Sequence, residues 1–118
     1  MRKQGQKFEQ LAKSYLESQG LLAICDNFSC KVGEIDLIMT DNKTLIFVEV
    51  KQRANNQYGG AIAAVSLAKQ RRIIKTAMVY CSVNKINFEQ QASRFDVVAI
   101  TGSHEPFDIV WLKHAFPQ

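Results

Sequence analysis

Glu34-Ile35-Asp36-Leu37-Ile38-Met39-Thr40-Asp41-Asn42-Lys43-Thr44-Leu45-Ile46-Phe47-Val48-Glu49-Val50-Lys51 holds two strongly apolar runs on either side of a short polar turn. The ends remote from the turn are charged: Glu34 and Asp36 on one run, Glu49 and Lys51 on the other. Buried strands normally exclude charge, because an unpaired ion away from water is costly. Successive side chains of a strand point to opposite faces. With Asn42 and Lys43 as the central residues of a short hairpin turn, Asp36 falls opposite Glu49 and Glu34 opposite Lys51. All four charges then share one face, which turns apolar towards Ile38 and Phe47. The other face carries Ile35, Leu37 and Met39 against Val50, Val48 and Ile46.

Carboxylates directly opposed across two strands repel each other, and a cation removes that penalty. Mg²⁺ takes one or two carboxylates and keeps several waters. Asp36 and Glu49 are therefore the expected ligands of Mg²⁺ or Mn²⁺, with the Val50 carbonyl as a further donor. Lys51 would stand beside the ion, placed to orient or deprotonate a water or to offset charge in a phosphoryl transition state. A Glu-x-Lys by itself is more often an exposed ion pair at a sheet edge. The apolar context Ile46-Phe47-Val48-Glu49-Val50 argues against that reading here.

The rest of the chain frames this hairpin. Its 118 residues suit one domain spanning 1–118, and 47% hydrophobic with 22% charged residues argues against a disordered chain. No apolar run approaches the roughly 20 residues of a membrane helix, and the basic N-terminus leads into no signal-like apolar segment. A cytoplasmic location is the expectation. The three cysteines, Cys25, Cys30 and Cys81, fit reduced, largely buried thiols better than a disulfide framework. His104 and His114 have no ligand-like spacing. A net charge of +4 permits a polyanionic partner.

Phe8, Leu11, Ala12, Tyr15 and Leu16 form the stripe of an amphipathic helix over Lys7–Gln19, and Gly20 suits its stop. Glu9 lies at the edge of that stripe; taken alone it is a solvated acid of a first helical turn. Leu21–Asp26 reads as a strand and Asn27–Gly33 as a loop. Asn55–Gly60 reads as a polar loop and Ala61–Val65 as a helical turn. Ser66 is a fitting N-cap for a helix whose apolar stripe is Ile74, Ala77, Met78 and Cys81. Lys69, Arg71, Arg72 and Lys75 gather on its first half. They form either a solvated face or a phosphate-contacting patch. Ser82–Ser93 reads as a loop, Phe95–Ile100 as a central strand with Asp96 near the sheet's end, and Phe107–Leu112 as an edge strand. The order is αβββαββ.

Gly33-Glu34-Ile35-Asp36-Leu37-Ile38, followed by Phe47-Val48-Glu49-Val50-Lys51-x-Arg53, resembles the PD-(D/E)xK nuclease superfamily. More closely, the chain resembles the YraN family of small bacterial proteins, related in fold to archaeal Holliday-junction resolvases. The likeness includes Glu9-x-Leu11-Ala12-x-x-Tyr15-Leu16, Tyr58-Gly59, Ala68-Lys69-Gln70-Arg71-Arg72, Arg94-Phe95-Asp96-Val97-Val98 and Ala115-Phe116. Phe8 stands where glycine is usual, Ser29 where a basic residue is common, and Ile35 where the superfamily has proline. The resemblance implies an α/β restriction-endonuclease-like fold with a mixed central sheet flanked by helices. It implies that Asp36 and Glu49 bind metal, that Lys51 is the catalytic lysine, that Glu9 assists at the metal, and that Glu34 is a supporting acid. Arg53, Lys69, Arg71 and Arg72 are then expected to contact phosphates of DNA, branched DNA included. The resolvase-like relatives imply a homodimer. The expected activity is metal-dependent phosphodiester hydrolysis. The alternative is a nucleic-acid-binding or assembly module that keeps the fold without turnover.

Overall fold

In the computed structural model, residues 3–55 and 65–116 are described. The expected Tyr58-Gly59 motif, the loop through Gly60 and the turn from Ala61 to Ala64 lie outside them. The elements are α1 (Lys3–Ser18), β1 (Leu22–Ser29), β2 (Glu34–Asp41), β3 (Thr44–Arg53), α2 (Leu67–Val83), β4 (Ser93–Thr101) and β5 (Asp108–Leu112). The five strands form one sheet in the order β1-β2-β3-β4-β5. Among the described residues only β3 and β4 run parallel, and α2 lies in the connection between them. This is a mixed sheet with one helix against each face, the restriction-endonuclease-like arrangement.

Each face has its own core. Phe8, Ala12 and Leu16 of α1 pack with Leu37, Met39, Ile46, Val48, Val98 and Ile100. Ile73, Ala77, Tyr80 and Cys81 of α2 pack with Ile38, Phe47, Phe95 and Val97. The alternation of β3 and β4 thus sends even-numbered residues to α1 and odd-numbered residues to α2. Gly20, at φ 103, ends the last turn of α1 where a side chain would be strained. Ser66 caps α2 by accepting the Lys69 N–H at 3.1 Å.

Several expectations are corrected. α1 begins four residues before Lys7, and β1 runs on through Asn27 to Ser29, which the sequence assigns to a loop. The buried stripe of α2 is Ile73, Thr76, Ala77, Tyr80 and Cys81; Met78 is exposed and Ile74 only half-buried. The side chain that anchors this face is Tyr80, edge-to-face on both Phe28 and Phe47. Cys25, Cys30 and Cys81 are free thiols, but only Cys81 is buried.

Asp96 lies within β4, wholly buried, rather than at the end of the sheet. Its carboxylate accepts from Arg94 Nε at 3.0 and 3.1 Å, Trp111 Nε1 at 2.8 Å and the His114 N–H at 2.9 Å. It ties β4, β5 and the C-terminal turn together, where Phe116 stacks on Phe95. A buried carboxylate is tolerable because its lone pairs are taken and a guanidinium matches its charge.

Candidate functional site

The hairpin register is the one read from the turn. The pairs run from Asp41↔Thr44 through Met39↔Ile46 to Leu37↔Val48. There the β2–β3 ladder ends, one position before Asp36 would meet Glu49. The Asp36 carboxylate takes over: its Oδ2 accepts the Val50 N–H at 2.8 Å. A side chain thus occupies a place that a strand carbonyl would otherwise fill, and the strands part around it. Val50 is held to the site by its amide as well as by its place beside Glu49. The expected pairing of Glu34 with Lys51 does not form in the ladder; Glu34 pairs with Ser29 of β1 instead.

A second departure lies next to the first. Strict alternation puts Ile35 with Leu37 and Met39, yet Ile35 packs with Ile38 on the α2 side. Across the β1–β2 ladder, Phe28 and Cys25 likewise share that side. Between them stands Asn27 at φ 54, at the register position facing Asp36. This left-handed residue, a conformation asparagine tolerates better than most, lets the strand pair change facing at Asp36.

A cleft of about 360 Å³ opens at this end of the sheet, lined by Gly5, Phe8, Glu9, Glu34, Asp36, Glu49, Val50, Lys51, Gln52, Arg53 and Lys69. It gathers the expected acids Glu9, Glu34, Asp36 and Glu49 with the expected bases Lys51, Arg53 and Lys69. Arg71 and Arg72 are exposed on α2 and are not among its walls. Glu9 is 6% exposed and Glu49 4%; Glu9 is therefore not the solvated acid it looks like in isolation. Phe8, in the place where glycine is usual, is buried edge-to-face on Phe107 at 5.2 Å and fixes the turn of α1 that carries Glu9. Gly33 is required by close approach: a Cβ there would come within 3.1 Å of Thr76 Oγ1. The turn into Glu34 therefore lies directly on α2.

The electrostatics are those of a crowded acid cluster. Burial, and next the neighbouring Glu49, push Asp36 up to about 8, against the Val50 hydrogen bond, which pulls downward; Glu9 adds to the rise. The Asp36 and Glu49 carboxyl groups lie within hydrogen-bond reach, which adds a small further push upward on Asp36. Glu49 Oε2 also meets Lys69 Nζ at 2.8 Å and Lys51 Nζ at 3.3 Å. Burial, and then a hydrogen bond with Lys69, lower Lys51, although Glu49 favours its charge. Lys69 is raised: burial opposes its charge, but hydrogen bonds to Glu49 and Lys51 outweigh it. Two ammonium groups cannot share a hydrogen bond, so Lys51 is the more easily deprotonated of the two lysines.

Among the described residues, no three His, Cys, Asp or Glu side chains come together as a ready metal cage. The donor set still fits a hard divalent ion, which takes one or two carboxylates and retains water. Asp36 and Glu49 would supply those carboxylates, and Val50 and Glu9 line the same cleft.

Two features of the cleft do not follow from the sequence pattern. Gln52 lines it while its amide donates to the Gly102 carbonyl at 2.8 Å, bracing the end of β3 against the turn after β4. Lys69, expected at phosphate, sits on Glu49 instead. Its one signal is its position: a lysine in the first turn of a helix opposes the helix dipole unless an acid faces it.

Fold and site together define a small restriction-endonuclease-like domain with a clustered acid–lysine cleft. Residues 8–100 match the model of UPF0102, described as an uncharacterised protein family. The chain belongs to the UPF0102 family, of which YraN-like proteins are part. It is 44% identical over 112 residues to a UPF0102 protein of Aeromonas hydrophila subsp. hydrophila, covering 95% of this chain and 83% of the relative. It is 45% identical over 114 residues to one of Vibrio campbellii, covering 97% and 92%. Among the described residues no helix is long and apolar enough to cross a membrane.

Proposed function

We propose that this protein is a Mg²⁺- or Mn²⁺-dependent nuclease that hydrolyses phosphodiester bonds in DNA, branched DNA included. The observation that carries the reading is the convergence of Asp36, Glu49 and Lys51 in one cleft with the buried Glu9. Asp36 is pushed up to about 8 there by burial and by the neighbouring Glu49, both of which a bound cation would oppose. Asp36, Glu49 and the Val50 carbonyl would hold the ion, which when bound polarises a phosphoryl oxygen and acidifies a water. Lys51, the more easily deprotonated of the two lysines, would accept a proton from the attacking water or, when charged, offset charge on the transferring phosphoryl group. The Val50 N–H keeps Asp36 oriented. Arg53, at the rim, supplies a phosphate contact that positions the strand without reading its bases. Arg71 and Arg72 extend the basic surface along α2.

The test incubates the purified chain with branched, single-stranded and duplex DNA and Mn²⁺. Cleavage is expected for at least one substrate; none above that of Asp36→Ala on any substrate would sink the reading. A second reading, a binding module without turnover, is favoured by one observation: Glu49 is already in contact with Lys69 at 2.8 Å and Lys51 at 3.3 Å without a metal. It predicts salt-dependent DNA binding that survives both Asp36→Ala and Lys51→Ala, with no heat of Mn²⁺ binding.

A further inference from the structure

Lys69 and Lys51 both touch the same oxygen of Glu49, but they do so from different places. Lys51 is two residues along β3 from Glu49 and stays beside it whatever else the site holds. Lys69 reaches in from the first turn of α2 and is still 34% exposed, while Glu49 is 4% exposed. Its contact is the shorter of the two, 2.8 Å against 3.3 Å. A carboxylate buried to this extent needs a cation, and Lys69 is one on a flexible four-carbon tether. The same oxygen belongs to one of the two carboxylates best placed for a divalent ion.

We propose that Lys69 is a built-in competitor for the metal site: its ammonium occupies Glu49 Oε2 until a divalent cation displaces it. Lys69 is then a positioning residue that sets metal affinity rather than a standing phosphate contact. It keeps the acid cluster matched in the metal-free protein. When released, its ammonium stays at the cleft rim, where a substrate phosphate approaches. The inference rests on the metal-nuclease reading above. It follows that metal affinity is reduced in proportion to the time Lys69 spends on Glu49. A contact made for nine-tenths of the time weakens binding roughly ten-fold.

Calorimetric titration of Mn²⁺ into the metal-free full chain, without DNA, tests this. Lys69→Met keeps the length of the stem and removes the charge; Arg53→Met removes an equal charge from the same cleft. The Arg53 guanidinium rests on the Gln52 carbonyl, at 2.7 Å, and not on Glu49. Lys69→Met is expected to bind Mn²⁺ roughly ten-fold tighter and Arg53→Met no more than about two-fold tighter. Equal tightening in both would mean that only the general field matters, and would overturn the proposal; so would no tightening in Lys69→Met while the wild type binds. If neither the wild type nor a folded Lys69→Met binds Mn²⁺, the metal site itself falls, and the proposal with it. A second readout uses the wild type alone. The Lys69 side-chain carbon resonances must shift at fixed pH as diamagnetic Mg²⁺ saturates the site, and an unmoved signal refutes displacement.

Discussion

Asp36→Asn should make the metal-free protein more stable, although it removes the centre of the proposed site. The amide keeps an oxygen for the Val50 N–H, bonded at 2.8 Å in the wild type, and offers an N–H to Glu49. What it loses is the ability to charge. The Asp36 carboxyl sits at about 8 in the fold against 3.8 for the ordinary group. A folded-state value above the unfolded one means that stability is full below the unfolded value and is lost as pH rises through the folded one. Each unit between them is worth about 1.4 kcal/mol. By pH 7.5 the wild type would forgo roughly 4–5 kcal/mol if Asp36 titrated alone. Relaxation and water around the buried carboxylate recover part of this, so the gain expected for Asp36→Asn is about 2–3 kcal/mol, or a Tm rise of roughly 8–12 °C for a chain of this size. Thermal unfolding in a chelator from pH 4 to pH 8 measures it, with the two curves converging at the acid end. Saturating Mn²⁺ should reverse the order, since only the wild type retains both ligands. An Asp36→Asn protein no more stable than wild type at pH 7.5 in chelator, or a gap that does not narrow towards pH 4, would refute the account of the acid cluster.

Lys51→Met should reduce cleavage by roughly 10²-fold or more while leaving Mn²⁺ binding measurable by calorimetry, because it removes proton transfer and not a ligand. Asp96→Ala leaves Arg94 and the Trp111 and His114 donors without their acceptor; urea unfolding should show a drop of about 3–5 kcal/mol. Gly33→Val drives a branched side chain against Thr76, 3.1 Å from where its Cβ would stand, and should cost about 1–3 kcal/mol in the same assay. Arg71→Ala with Arg72→Ala should weaken DNA binding evenly across sequences. Filter binding over a salt series should show a shallower slope, by up to about one for each phosphate that the variant no longer neutralises, with little change in the turnover rate of bound substrate.

The two helices that flank the site show how differently sequence patterns resolve. In α1 the i, i+3, i+4 stripe of Phe8, Leu11, Ala12, Tyr15 and Leu16 identifies the buried side, because nothing competes with burial for that face. In α2 four basic residues share the first turns with apolar ones. Of the stripe read there, Ala77 and Cys81 are buried, but Ile74 and Met78 each lie one or two residues from the buried positions Ile73, Thr76 and Tyr80, of which Thr76 and Tyr80 are polar by type. Thr76 is buried because its hydroxyl donates to the Arg72 carbonyl of its own helix, at 2.7 Å, a partner no hydropathy pattern registers.

By itself the sequence determined the order of elements, the hairpin turn at Asn42-Lys43 and the pairing that follows from it as far as Leu37 and Val48. These depend on local chemistry: period-two alternation, turn length and helical periodicity act between near neighbours. It also placed Asp36, Glu49 and Lys51 together, since one hairpin carries all three. Only the tertiary structure decided the rest. That Ile35 changes side depends on the left-handed Asn27 of another strand. That Asp96 is a buried knot depends on donors from β5 and the turn beyond it. That Lys69 sits on Glu49 depends on how α2 lands after its crossover. Each joins groups far apart in the chain, and such meetings are fixed by packing and charge compensation in the folded globule, not by any spacing along the polypeptide.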